Sequence, residues 1–330
     1  MDQCKRFTLK RTTALIAGMT LAASAMAQSG RPVTLMVPYP AGGLSDVIAR
    51  LVSPVLAKHL DKTVIVENLG GAGGAIAAQK VLNTPADGNL IFQGSPNELI
   101  LTPMTVASVK YKAEDFRPVQ SIALNEMIVF ARKDLPVSNG DELAAYAAKV
   151  AKEGKPMTFA SVGTGSLYHV LGEHMAKTLN VQMTHVPYKG GAPAMQDLMG
   201  GLVDIFITPY GKAYVEYVNT GKLKAVAALS TERQASFKSV PTLNESKAFK
   251  GFVYDTWQTY FVRKDTPEAA VQALHKALSE VANDADVRSK LEAQGMIVPK
   301  PVALDKLSKS YTDETAQYRT IAKSINLQAQ

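Results

Sequence analysis

The sequence predicts an α/β protein of two lobes, each a mainly parallel sheet flanked by helices, with a ligand cleft between them. Short β-branched runs alternate with helical stretches, the order that builds parallel sheets from βαβ units. The alternation occurs twice, over residues 33–94 and again over residues 156–229. A chain of 330 residues with 46% hydrophobic content also exceeds the size at which one core usually divides into two.

Residues 1–27 read as an export signal rather than as fold. Lys5, Arg6, Lys10 and Arg11 make a positive start, residues 14–25 are apolar, and Ala25-Met26-Ala27 is a small-x-small cleavage site. The apolar run is shorter than the roughly 20 residues that a bilayer span needs, and no later stretch is long or apolar enough. Cleavage after Ala27 would export the chain, remove four basic residues and Asp2, and reduce the +7 charge to a mild excess. The single cysteine, Cys4, lies in the signal, so the exported chain has no disulfide, thiol nucleophile or thiolate metal site. Basic residues are scattered, which argues against nucleic-acid binding.

Residues 33–37, 63–67 and 89–94 read as buried strands, separated by helices over 46–59 and 73–82. Strands at 156–160, 183–187, 203–208 and 223–229 then interleave with helices at 166–179, 192–200 and 210–220. This second set places lobe 2 at residues 127–253. Two extended crossings, 122–133 and 255–263, make lobe 1 discontinuous, from residues 28–126 and 254–330. It finishes in a helical tail after Pro267, where Ala270, Leu274, Ala277 and Leu278 form one apolar stripe.

Three stretches put small residues where a strand gives way to a helix: VPYPAGGLSD at 37–46, its echo VPYKGGAPAM at 186–195, and SVGTGSLYH at 161–169. The carboxyl ends of parallel strands are where such sheets bind ligands. Glycines let the backbone approach a ligand, and the unpaired N–H groups of a helix start favour an anion. The dipole contributes about 0.3–1 kcal/mol at an exposed site, so a tight grip needs loops from both lobes. A nucleotide is disfavoured, because no Lys-Ser or Lys-Thr pair follows Gly42 or Gly43 and GGAGGAIAAQ at 70–79 misses the dinucleotide spacing. A carboxylate needs only a few backbone donors and a hydroxyl such as Ser45 or Ser166.

Catalytic readings are weaker. His169 and His174 are five residues apart, where two histidines sharing a metal on a helix want four, so with Glu173 they read as a polar helix edge. No G-x-S-x-G elbow surrounds Ser166; it reads as an N-cap, which leaves ligand contact open. Asp46 reads first as a cap or first-turn charge, ahead of a direct ligand contact. His59, His185 and His275 read as structural or surface residues.

PYPAGGLSDVIAR, VENLGGAGGAIAAQKV with ADG at 86–88, GTGSLYH, HVPYKGGAPAMQDLMGGLVD and KLKAVAALS resemble, in order, the signatures of the tripartite tricarboxylate transporter substrate-binding proteins, also called the Bug family. The resemblance covers essentially the whole chain after the signal. It implies a periplasmic binding protein fold and a receptor, not an enzyme. Such a receptor is a monomer without cofactor or metal that closes on a small carboxylate and hands it to the membrane subunits of a tripartite permease. It implies ligand contacts from Tyr39, Ala41, Gly42, Gly43 and Ser45 on one side, and from Gly163, Gly165, Ser166, Asp204 and Thr208 on the other. The two crossings act as the hinge. Leu69-Gly70, Tyr168 and the Gln258-Thr259-Tyr260 that follows Trp257 depart from the family pattern. Tyr39, Tyr168 and Trp257 could wall a pocket for an aromatic ring, which favours an aromatic mono- or dicarboxylate over an aliphatic di- or tricarboxylate or an amino acid. A sensory role would use the same pocket, and a hydrolase would need a nucleophile that the motifs do not supply.

Overall fold

A computed structural model describes residues 30–233 and 238–327, apart from the side chains of Lys212 and Ala213, so the expected export signal lies outside the described residues. The first repeat is built as its pattern dictates. Val33–Val37 (β1), Val64–Asn68 (β2) and Leu90–Gly94 (β3) pair in parallel on either side of β1. Leu44–Leu60 (α1) and Ala75–Asn83 (α2) make the crossovers. The helix α1 turns Ile48, Ala49, Val52 and Leu56 inward, the spacing of a one-sided apolar stripe.

Phe116–Arg132 (β4) and Asp255–Arg263 (β9) are the crossings. They are not loose connectors. They pair antiparallel with each other from Phe116↔Arg263 to Glu126↔Asp255, and β9 also pairs antiparallel with β3. The first crossing therefore begins at Phe116 rather than near residue 122, and the sheet is mixed rather than mainly parallel. Local pattern shows that a segment is extended but not which neighbour it joins or in which direction. Pro118, which has no N–H to donate, sits at a register shift of the β4/β9 ladder.

Beyond Glu126 the same strand enters the second repeat. Its residues 127–132 pair antiparallel with Ile205–Pro209 (β7) and Leu223–Ala228 (β8). Thr158–Ser161 (β5) pairs in parallel with β7 and with Thr184–Pro187 (β6). The path through the whole sheet is β2-β1-β3-β9-β4-β7-β5-β6, with β8 beside the end of β4. Helices Gly140–Lys152 (α3), Leu167–Leu179 (α4), Gly191–Met199 (α5) and Lys212–Asn219 (α6) cover this half. The sequence pattern did not single out α3, which Asn139 caps by accepting the Glu142 N–H at 2.9 Å.

Alternation along β4 divides its side chains between cores. Ile128 and Phe130 join Met195, Leu198 and Phe206 on one face, whereas Met127, Val129 and Ala131 enter a core on the other face that runs beneath both halves, from Met36 and Phe92 to Phe159 and Val170. The tail is three helices: Glu268–Asn283 (α7), Ala285–Glu292 (α8) and Leu304–Ser324 (α9). The expected stripe on α7 packs against α1, with Leu274, Ala277 and Leu278 buried alongside Val271 and Val281. Ala270 is half-buried at its edge.

Candidate ligand-binding cleft

The loop after β1 delivers residues 40–44 to the surface and returns Ser45 and Asp46 to the interior at the start of α1. Gly42 has φ +84°, a left-handed backbone that favours glycine. Asp46 holds this turn: it accepts the Gly42 N–H at 2.8 Å and Arg50 Nε at 2.9 Å. The Arg50 bond, then the Gly42 bond, keep its carboxyl below the usual carboxylate range. Asp46 is thus a first-turn acid that braces the loop before α1, and the Gly42 N–H is committed to it. The N–H groups of Leu44 and Ser45 have no carbonyl one turn back and remain the donors of this end of α1. From below, Gln93 on β3 donates to the Ser45 carbonyl at 2.8 Å while accepting from Tyr260 Oη at 3.1 Å.

Tyr39 is anchored to a buried acid that the sequence reading did not single out. Its hydroxyl donates to Glu98 Oε2 at 2.8 Å and receives Asn97 Nδ2 at 3.2 Å. Glu98 is fully buried and also receives the Ser95 N–H and the Ser95 hydroxyl, the latter at 2.7 Å. Burial pushes its pKa up to about 7 despite these donors. The signal was present as Ser95-Pro96-Asn97-Glu98, the S-x-x-E pattern of a capping box. Gly74 closes over it, since a Cβ there would lie 2.7 Å from Glu98 Cβ.

The second loop spends most of its donors on its own shape. The Gly163 N–H reaches Ser161 Oγ at 3.1 Å, the Gly165 N–H reaches His169 Nδ1 at 3.0 Å, and the Ser166 N–H and hydroxyl both reach the Gly163 carbonyl. Ser166 Oγ also accepts the His169 N–H at 3.4 Å, as the N-cap of α4. His169 stacks on His185 with ring centroids 4.0 Å apart, and burial, then that neighbour, lower its pKa to about 4. It is a neutral loop support. His174 points elsewhere, stacking on Phe252, and among the described residues no group of His, Cys, Asp or Glu could hold a metal. Leu167 and Tyr168, the first residues of α4, keep N–H groups with no partner one turn back.

The two halves meet at this loop. Gly165, with φ +79°, lies so close to Thr105 that a Cβ would stand 2.5 Å from Thr105 Cβ. Tyr168 packs on Phe206 at 5.9 Å. Burial, then Tyr214 and then the charge of Glu98, raise its pKa. Thr208 is buried at the end of β7 beside the Tyr214 hydroxyl.

Two of the predicted residues lie elsewhere. Asp204 precedes β7, at the opposite end of the strand from Thr208. It binds Arg132 Nε at 2.8 Å and the Thr158 N–H at 2.8 Å, clamping the starts of β5 and β7 to the end of β4. Trp257 is buried beneath α9, its Nε1 donating to Glu314 Oε2 at 2.6 Å and its ring 6.0 Å from Tyr311. The pleat sends Trp257, Thr259 and Phe261 toward α9 and gives the other face of β9 to Gln258 and Tyr260.

Residues 48–327 match the family model described as the tripartite tricarboxylate transporter family receptor. The chain belongs to this family. BugT of Bordetella pertussis is 32% identical over 283 residues, which is 84% of this chain and 85% of BugT. MatC from Rhodopseudomonas palustris, solved with bound malate, is 30% identical with a TM-score of 0.74, covering 88% of this chain and 98% of MatC. A second R. palustris protein, solved with adipate, is 27% identical with a TM-score of 0.77, covering 91% of this chain and 99% of its own. Members of the family are periplasmic solute-binding receptors rather than enzymes. Among the described residues no helix is long and apolar enough to cross a membrane.

Proposed function

We propose that this chain is an exported receptor, cleaved after Ala27, that closes two lobes on a small carboxylate and delivers it to the membrane subunits of a tripartite permease. In this reading the lobes are about residues 30–126 with 254–327, and residues 127–253, and they move about β4 and β9. The observation that carries the proposal is the approach of Gly165 to Thr105, which sets the start of α4 against the half that holds Tyr39 and the start of α1. A carboxylate between them would take the N–H groups of Gly43, Leu44 and Ser45 on one side and of Leu167 and Tyr168 on the other, with Tyr39, Ala41 and Thr208 at the margins. Gly42, Gly163, Gly165 and Ser166 shape the loops, and water excluded on closure strengthens each charge-assisted bond. Micromolar binding would require roughly 8 kcal/mol from the two grips together.

The geometry favours an aliphatic dicarboxylate, because moving Trp257 under α9 removes one of the three rings proposed for an aromatic wall. The malate and adipate of the R. palustris proteins give the size range. Tyr39 and Tyr168 support an aromatic acid as the second reading. Thermal melting of the refolded, ligand-stripped protein against malate, adipate, benzoate and phthalate tests both. Ligand at about 100 times its dissociation constant adds roughly 2.7 kcal/mol of stability. A shift with malate or adipate supports the first reading and a shift confined to benzoate or phthalate the second. Silence across this set and an added series of amino acids and tricarboxylates refutes the carboxylate assignment.

A further inference from the structure

Glu98 is buried behind the Tyr39 hydroxyl and has no role in the grip described so far. We propose that Glu98 and Tyr39 form a proton-linked switch, in which capturing a carboxylate at the Tyr39 hydroxyl draws one proton from solvent onto Glu98. The inference rests on the receptor reading above.

A phenol has one proton to give. In the ionised arrangement Tyr39 gives it to Glu98 Oε2 at 2.8 Å and accepts Asn97 Nδ2 at 3.2 Å. What remains on the hydroxyl for a ligand is a lone pair, backed by a buried negative charge. A ligand carboxylate is repelled there. When Oε2 is protonated, the same contact reverses: the acid donates to Tyr39 Oη, which keeps Asn97 as its second donor and turns its own proton toward the cleft. The Ser95 N–H on Oε1 and the Ser95 hydroxyl on Oε2 are undisturbed by this exchange. The bonds among Tyr39, Glu98, Asn97 and Ser95 are kept in both arrangements, and only the protonated one leaves the Tyr39 hydroxyl a donor for the ligand.

The surroundings allow the exchange. Among the described residues the titratable groups that feel the Glu98 charge are four phenols: Tyr39 before α1, Tyr111 whose hydroxyl donates to the Glu98 carbonyl at 2.6 Å, Tyr168 from α4 and Tyr311 from α9. Burial holds all four above the usual phenol range, with the Glu98 charge adding to each. They stay neutral while Glu98 titrates. Glu98 itself, pushed up to about 7, changes state near neutrality.

The test is calorimetric titration of malate or adipate, whichever shifts melting, between pH 6 and 9 in two buffers of different ionisation enthalpy. The wild type should take up close to one proton per ligand at pH 8, and its affinity should fall toward tenfold for each pH unit above the ionisation of Glu98. Glu98→Gln should show no uptake and a flat profile, because its amide cannot take up the proton. Tyr39→Phe, which keeps the acid but removes the hydroxyl, should also be flat and carries the test if Glu98→Gln does not fold. Binding of wild type without proton uptake, or uptake unchanged in Tyr39→Phe, overturns the switch and leaves the receptor reading intact. No binding of any carboxylate at any pH overturns that reading and the switch with it.

Discussion

Replacing Gly165 with alanine should weaken ligand binding far more than the same change at Gly163. Both glycines have positive φ, +79° and +130°, so both substitutions carry backbone strain of about 1–2 kcal/mol. They differ in what the new methyl meets. At Gly163 nothing lies within 4 Å, whereas at Gly165 it would lie 2.5 Å from Thr105 Cβ and 2.7 Å from both Thr105 Cγ2 and Oγ1. Ordinary contact between carbon atoms needs about 3.5–4.0 Å, so the loop and Thr105 must separate by about 1 Å. That conflict exists only while the halves are together. Gly163→Ala should therefore lower the melting temperature of the free protein with little effect on the ligand-induced shift. Gly165→Ala should lower that shift as well, with at least a tenfold loss of affinity, or about 1.4 kcal/mol, beyond Gly163→Ala. Adding Thr105→Gly should restore binding, and Thr105→Ala should not, because its Cβ remains. Equal losses of affinity in the two alanine variants, or no rescue by Thr105→Gly, would refute the role of this contact in the bound state.

Three further outcomes follow from the same geometry. Trp257→Ala should cost about 3–5 kcal/mol of stability in urea unfolding, the range for emptying a buried aromatic site, while leaving affinity for benzoate, phthalate, malate and adipate unchanged. Asp204→Asn should destabilise the fold by about 1.5–3 kcal/mol through its bonds to Arg132 and Thr158, again with unchanged affinity by calorimetry. Glu98 keeps its proton up to about 7 in the folded chain, against an ordinary value of 4.5. Folding therefore holds a proton that the unfolded chain releases, and the contribution of Glu98 declines as pH rises from about 4.5 to 7. Denaturant melts across that range should show Glu98→Gln gaining on the wild type by up to about 3 kcal/mol.

What could be read from the sequence is what local chemistry determines. The β1-α1-β2-α2-β3 run was legible because apolar runs, glycine turns and one-sided stripes are set within a few residues. The three glycine turns did mark strand-to-helix junctions, where Ser166 caps α4 and Asp46 is a first-turn acid of α1, as their positions suggested. The direction of β4 and β9 was hidden, since an extended segment carries no label for its partner. Trp257 was misplaced by pleat parity, in which one residue along β9 exchanges the face that meets Gln93 and the α1/α7 core for the face beneath α9. Asp204 and Thr208 were read as one strand end, although the strand separates them. The glycine donors were hidden for a different reason: Gly42, Gly163 and Gly165 have the backbone freedom expected, but Asp46, Ser161 and His169 occupy their N–H groups. Glu98 was legible in its capping-box spacing, though nothing local said that Tyr39, 59 positions away, would reach it.

A crystal structure of the refolded protein grown with the carboxylate that gives the largest melting shift tests the central claim most directly. The ligand should lie between the two halves, with its carboxylate oxygens within hydrogen-bond distance of N–H groups at the starts of both α1 and α4, and with Gly165 still against Thr105. A ligand held by one half alone, or seated in the cavity of about 230 Å³ beneath α9 beside Trp257 and Glu314, would contradict it.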